Sequence, residues 1–168
     1  MIFGFLRRRR PHLRRLTAED VGDWAALRAE AMALHPEAFG STHDDMAGHP
    51  TAFAEQLTDE VVVGAFDEGR LIGALGLDPQ TDPKAGIVTS VYIRPDWRRK
   101  GVARRLFHLA LGEARKRGLQ RLTLTVAEDN HPAIHFYQGQ GFRFAGRGDR
   151  VLASDGRFLE LIELAREL

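Results

Sequence analysis

Arg98-Arg99-Lys100-Gly101-Val102-Ala103 brings three cations and a glycine to a point where the sequence changes its period. Upstream, Ile87 to Ile93 is rich in β-branched and aromatic residues, as a strand requires. Pro95 has no N–H to give a ladder and ends the pairing. Downstream, Val102, Ala103, Leu106, Phe107, Ala110, Leu111 and Ala114 share one helical face; Arg104, Arg105, Glu113, Arg115 and Lys116 take the other. Gly118 suits the C′ position, and Arg115 to Arg117 suit the negative end of the helix dipole. The segment reads as a strand, a tight basic turn and an amphipathic helix, half of a βαβ unit. Successive N–H groups at a helix start, a glycine that lets a ligand close in, and adjacent cations make an anion site suited to phosphate or pyrophosphate. Taken alone, the turn reads equally well as a solvated charge run.

Other chemistries are excluded by motif. There is no G-x-x-x-x-G-K-[ST], and no G-x-G-x-x-G between a strand and a helix. Gly139-Gln140-Gly141 follows a helical stretch and reads as a C-cap and turn. His131 and His135 are spaced as zinc ligands on a helix are, but Pro132 stands where H-E-x-x-H has Glu, and no third ligand is evident. G-x-S-x-G is missing as well.

Composition sets further bounds. The chain has 168 residues, 43% of them hydrophobic, which is enough for one domain with a real core. A formal net charge of +1 gives no global field for nucleic acid or an anionic membrane. With no cysteine, disulfides, thiolate catalysis and an acyl-cysteine intermediate are excluded, and the composition suits a reducing cytoplasm. No apolar run approaches the ~20 residues needed to cross a bilayer.

Arg98-x-x-Gly101-x-Ala103 resembles the [QR]-x-x-G-x-[GA] signature of the GNAT N-acetyltransferase superfamily. Further on, Asn130-x-x-Ala133-Ile134-x-Phe136-Tyr137-x-x-x-Gly141-Phe142 resembles the same family's second hallmark. The pair, in this order, covers roughly residues 86 to 145. The resemblance implies an α/β (α+β) fold with a mixed, mostly antiparallel sheet, a splayed parallel strand pair and flanking helices. It implies acetyl-CoA, or another acyl-CoA, as donor, with no metal. The pyrophosphate is expected on the backbone of Arg98, Arg99, Lys100, Gly101, Val102 and Ala103. The pantetheine arm is expected along Val91 to Ile93, pairing as an added strand where the parallel strands splay. A backbone N–H near Val91 is then placed to face the thioester oxygen. Tyr137 is the expected general acid for the departing thiolate, against the plainer role of a packed core tyrosine. Asn130 is expected to contact the cofactor arm, cap its helix, or both. Phe136 and Phe142 are expected in the core.

The elements that must position these residues follow in order. Residues 1–11 form a basic extension, with an apolar patch ahead of Arg7 to Arg10 that has the wrong order for a secretory signal. Its readings are a solvated arm, or an interfacial or anion-binding one. Residues 12–168 are expected as a single domain. His12 to Leu16 reads as a strand; Thr17-Ala-Glu-Asp20 is a capping box opening a helix over 18–34, with Val21, Trp24, Leu27, Ala31 and Leu34 inward. His35 to Thr42 reads as a loop and 52–57 as a short helix. Val61 to Phe66 and Arg70 to Leu77 form a hairpin about Asp67-Glu68-Gly69. Asp78 to Lys84 reads as a mobile loop. Leu119 to Val126 is the second parallel strand of a right-handed crossover. Asn130 caps a short helix with Pro132 near its start. A closing hairpin of 142–150 and 157–164 turns at Ala153-Ser154-Asp155-Gly156.

The expected activity is transfer of an acetyl group from acetyl-CoA to a primary amine, by direct attack in a ternary complex. A non-catalytic acyl-CoA-binding module of the same fold is the alternative. The acceptor is a small-molecule or peptide amine, with Glu37, Asp44 and Asp45 suited to a cationic one; nucleic acid and membrane are not expected partners, and a homodimer is the general expectation. The general base is open among Glu37, Glu128, Asp129 and water, because no carboxylate lies within Ile87 to Ile93.

Overall fold

The computed structural model describes residues 10–38, 51–153 and 155–168. Seven strands form one sheet in the order β1-β2-β3-β4-β5-β7-β6. They are β1 (His12–Arg15), β2 (Val61–Asp67), β3 (Arg70–Pro79), β4 (Ala85–Ile93), β5 (Arg121–Ala127), β6 (Arg143–Leu152) and β7 (Phe158–Glu167). The helices are α1 (Val21–Leu34), α2 (Ala52–Asp59), α3 (Val102–Lys116) and α4 (His131–Gly139). This is the expected order of elements, and β4–β5 is the parallel pair among antiparallel neighbours.

Apolar residues on both faces of the sheet build two cores. On one face Trp24, Leu27 and Ala31 of α1 and Leu57 of α2 pack on Val62, Leu71, Ala74 and Tyr92. On the other, Leu106, Phe107 and Ala110 of α3 pack on Val63, Leu75, Leu77 and Val88, and Phe142 joins them fully buried. The central strands β2 and β3 are therefore apolar almost throughout, as strands covered on both faces are.

Local chemistry fixes the joints. Glu68 and Gly69 both take positive φ, so the two-residue turn matches the strand twist and closes the β2–β3 hairpin in register. Gly118 (φ +76) ends α3, its N–H donating to Arg115 and that of Leu119 to the Ala114 carbonyl, which satisfies carbonyls the helix leaves open.

Four expectations change. The first helical turn, Ala18–Asp20, is 3-10 and α1 begins at Val21; the Asp20 carboxylate does accept from the Thr17 N–H at 2.8 Å, as the capping box requires. Leu34 is 52% exposed, since the apolar partners of α1 stop one turn earlier at Ala31. The stretch after Leu77 stays paired to Pro79, which sits at the strand end where no N–H is needed. Pro36–Ala38 is a 3-10 turn rather than loop, and 39–50, with Asp44 and Asp45, lies outside the described residues. Arg7 to Arg9 lie outside them too.

Candidate active site

The parallel pair is short. Only Ala85, Gly86 and Ile87 of β4 pair with Arg121, Leu122 and Thr123 of β5. Beyond Ile87, β4 stays with β3 and β5 stays with β7, so a wedge opens between them. On its β5 side, the β4 edge beyond Ile87 has no neighbouring strand among the described residues, and backbone polar groups there call for another partner.

Within the wedge β4 is bulged. Gly76 pairs with Thr89 and Ala74 with Tyr92, which leaves Ser90 and Val91 together opposite Leu75. Ser90 takes φ +55, a left-handed value that non-glycine residues adopt at some cost. The extra residue puts Thr89 and Tyr92 on one face of the sheet. Val91 packs half-buried against the α3-side core, and Ile93 is buried there.

The β4 strand leads through a 3-10 turn, Pro95–Trp97, into the basic turn. Arg99 (φ +58) and Gly101 (φ +77) are both left-handed, and Gly101 is the N-cap of α3. Arg98 donates its N–H to Pro95, and Arg105 donates to Gly101. Between them, the N–H groups of Arg99, Lys100, Gly101, Val102, Ala103 and Arg104 have no acceptor among the described residues. A Cβ on Gly101 would meet nothing within 4 Å, so its outer side is open. These features fit an anion held on backbone N–H groups at the positive end of α3. The side chains divide differently. Arg98 folds back: Nε donates to the Ile93 carbonyl at 2.9 Å, and its guanidinium lies 5.6 Å from the Tyr92 ring centre. Lys100 donates to the Asp96 carbonyl and covers Trp97. Arg99 is exposed. The Val102 side chain belongs to the core, and Ala103 is half-buried against it.

Tyr137 stands on α4, which follows β5. Its ring meets Phe107, Phe136 and Phe142 edge-on, at 5.9, 5.7 and 6.2 Å between centres. Burial pushes the phenol up to about 12, so it stays protonated near neutrality. The ring packs against the α3-side core, and the hydroxyl bonds to none of the described residues. Asn130 caps α4 with Oδ1, which accepts from the Ala133 N–H at 3.3 Å. His131 and His135 are exposed on that helix.

The expected bases fare unevenly. Glu128 is exposed and pairs with Arg147 at 3.3 Å, and Asp129 is exposed beside it. The side chain of Glu37 lies outside the described residues. Two carboxylates that pattern alone missed lie on the α1–α2 side of β4. Glu30 accepts from the Tyr92 hydroxyl at 3.4 Å and pairs with Arg94. Glu60 accepts from Gln56 Nε2 at 3.1 Å and from the Thr89 hydroxyl at 3.3 Å, and Gln56 in turn accepts from Trp24 Nε1 at 3.0 Å. Burial raises the Glu60 carboxyl, against the two hydrogen bonds and the charge of Arg28. Arg28 is itself buried, which lowers its guanidinium, and it lies 5.7 Å from the Trp24 ring centre. The one available signal for Glu60 was its place directly before Val61-Val62-Val63, where a carboxylate abuts a buried strand.

A bulged strand, a wedge beside it and a helix start presenting unbonded N–H groups are the features of an acyl-CoA transferase fold. Residues 24–142 match the acetyltransferase (GNAT) family, and the chain belongs to it. It is 32% identical over 131 residues to mycothiol acetyltransferase of Clavibacter sepedonicus, covering 77% of this chain and 41% of that protein. The chain thus spans about two fifths of the length of that relative. Over 156 residues it is 29% identical to the L-amino acid N-acetyltransferase of Escherichia coli (strain K12), covering 86% of this chain and 91% of that one. Among solved structures, the PaiA N-acetyltransferase of Thermoplasma acidophilum in complex with coenzyme A superposes with a TM-score of 0.75 at 16% identity, covering 94% and 99% of the two chains. YncA of Salmonella typhimurium with its cofactor acetyl-CoA gives 0.76 at 20% identity, covering 95% of each. Both likenesses are of fold.

Proposed function

We propose that residues 12–168 are one N-acetyltransferase domain that moves an acetyl group from acetyl-CoA to a primary amine, by direct attack in a ternary complex. The observation that carries this is the parting of β4 from β5 after Ile87 on the strand that leads into the unbonded N–H groups at Arg99–Arg104. Backbone groups of that turn hold the pyrophosphate, and open space at Gly101 lets it approach. The β4 edge from Val91 to Ile93 takes the amides of the pantetheine arm. Because Arg98 Nε already occupies the Ile93 carbonyl, that residue contributes chiefly its packing and Arg98 braces the turn. The Val91 N–H, at the bulge, faces the thioester oxygen and stabilises the charge that develops there. Tyr137 gives its proton to the departing sulfur, a role supported by a phenol that burial holds neutral. Asn130 holds α4 in place by its cap.

The name of the L-amino acid N-acetyltransferase supports a small-molecule amine as acceptor, beside the peptide amine that the sequence also allows, and the fold neighbours support acetyl-CoA as donor. Calorimetric titration with acetyl-CoA, followed by CoA release over a panel of amines, tests the proposal. Micromolar binding with amine-dependent release is expected. Binding without release from any amine would leave an acyl-CoA-binding module instead, and no binding at millimolar ligand would overturn both.

A further inference from the structure

The proposed reaction needs a group that removes a proton from the acceptor, and among the described residues Glu128 and Asp129, beyond β5, are exposed, Glu128 being paired with Arg147. A candidate stands on the other face of β4. Thr89 directly precedes the Ser90–Val91 bulge, and its hydroxyl points to Glu60. Both hydrogen bonds to Glu60, from Gln56 and from Thr89, fall on Oε2; Oε1 accepts from no described residue. The second carboxylate on this face, Glu30, is already tied to Arg94. The hydrogen bonds that Glu60 accepts come from neutral donors.

We propose that Glu60 is the proton acceptor of the transfer, with Oε1 receiving the proton of an acceptor ammonium that enters from the α1–α2 face. This rests on the acetyltransferase function proposed above. One ammonium proton passes to Oε1, and the freed lone pair forms the C–N bond at the thioester carbonyl. The C–S bond breaks with its electrons on sulfur, which takes the Tyr137 proton. The second proton shed by nitrogen restores the phenol through water, and Glu60 returns its own to solvent. Thr89 and Gln56 position the carboxylate from β4 and α2. The charged groups facing it are Arg28 from α1 and Asp78 from β3, of opposite sign. Burial and the Asp78 charge raise the carboxyl and outweigh Arg28 and the two hydrogen bonds, so it is a better base than one in water.

The test is Glu60→Gln, with Glu60→Asp beside it. Acetyl-CoA affinity serves as the control for folding and is expected within twofold of the parent. Carbon-13 NMR of the glutamate carboxyls, which needs no turnover, is expected to show one group titrating above the ordinary range and missing in Glu60→Gln. With an amine that the parent chain acetylates, kcat/KM is expected to fall on the acid side as that group protonates. Glu60→Gln should lose this limb and about 100-fold or more in kcat, with partial recovery in Glu60→Asp. Activity within fivefold of the parent, with the same limb, overturns the assignment of Glu60 and leaves the transferase function standing. A parent chain that binds acetyl-CoA but turns over no amine overturns the transferase function, and this role with it.

Discussion

Gly76 of β3 lies directly opposite Thr89 of β4, so close that a Cβ on Gly76 would collide with the Thr89 hydroxyl and stand 3.3 Å from Glu60 Oε2. The absence of a side chain there is what lets the hydroxyl turn toward the carboxylate. Gly76→Ala should displace Thr89 and break its bond to Glu60, at a stability cost of about 1–3 kcal/mol from overpacking. We expect kcat to drop at least tenfold while acetyl-CoA affinity holds. An unchanged kcat in a variant shown by melting to be folded would remove Thr89 from the positioning of Glu60.

Tyr137→Phe separates chemistry from packing. The ring stays among Phe107, Phe136 and Phe142, and the hydroxyl that is lost has no described partner. Little change in melting temperature is therefore expected, with kcat down by about 10²-fold or more and acetyl-CoA binding kept. Because burial holds the phenol near 12, the parent should show no loss of its acid between neutral pH and about 10. Full activity in the variant would return Tyr137 to a purely packing role.

Gly101→Ala probes the basic turn. A methyl group there meets no protein atom, so the folding cost is the left-handed backbone alone, about 1–2 kcal/mol. If the turn holds pyrophosphate, the methyl group occupies the ligand's space, and the acetyl-CoA Kd should rise tenfold or more by calorimetry. A variant that melts a few degrees lower yet binds normally would move the anion elsewhere.

Asp20 predicts a pH dependence of stability. Its carboxylate accepts two hydrogen bonds from Arg14, at 2.7 and 2.8 Å, and one from the Thr17 N–H, and lies at about 2 in place of 3.8. A lowered value means stability present above pH 4 and lost as the pH falls toward 2. With Arg14 partly exposed and screened, Asp20→Asn should cost about 1–2 kcal/mol at neutral pH. Urea titrations should show that gap narrowing below pH 4. A gap independent of pH would assign the loss to the cap geometry instead of the charge.

The strand–turn–helix from Ile87 to Gly118 was legible because its signals are local: Pro95 stops the strand, the period shifts at Val102, and Gly118 alone tolerates the φ that ends α3. Arg28 and Glu60 were not. Sequence pattern places charged residues outside, and the burial of Arg28 and half-burial of Glu60 come from the packing of α1 and α2 on the sheet. The bulge at Ser90 was equally silent, since serine carries no mark of a left-handed residue and only the register with β3 exposes it. Arg98 was read for its charge and turned out to brace the strand before it, a choice that depends on where the Ile93 carbonyl ends up.

Three residue pairs are all that join β1–β4 to β5–β7 within the sheet. A molecule laid along the gap beyond them would act as the missing staple between two leaves. The folded population would then rise with its supply, by about 2.7 kcal/mol at a hundredfold excess over Kd.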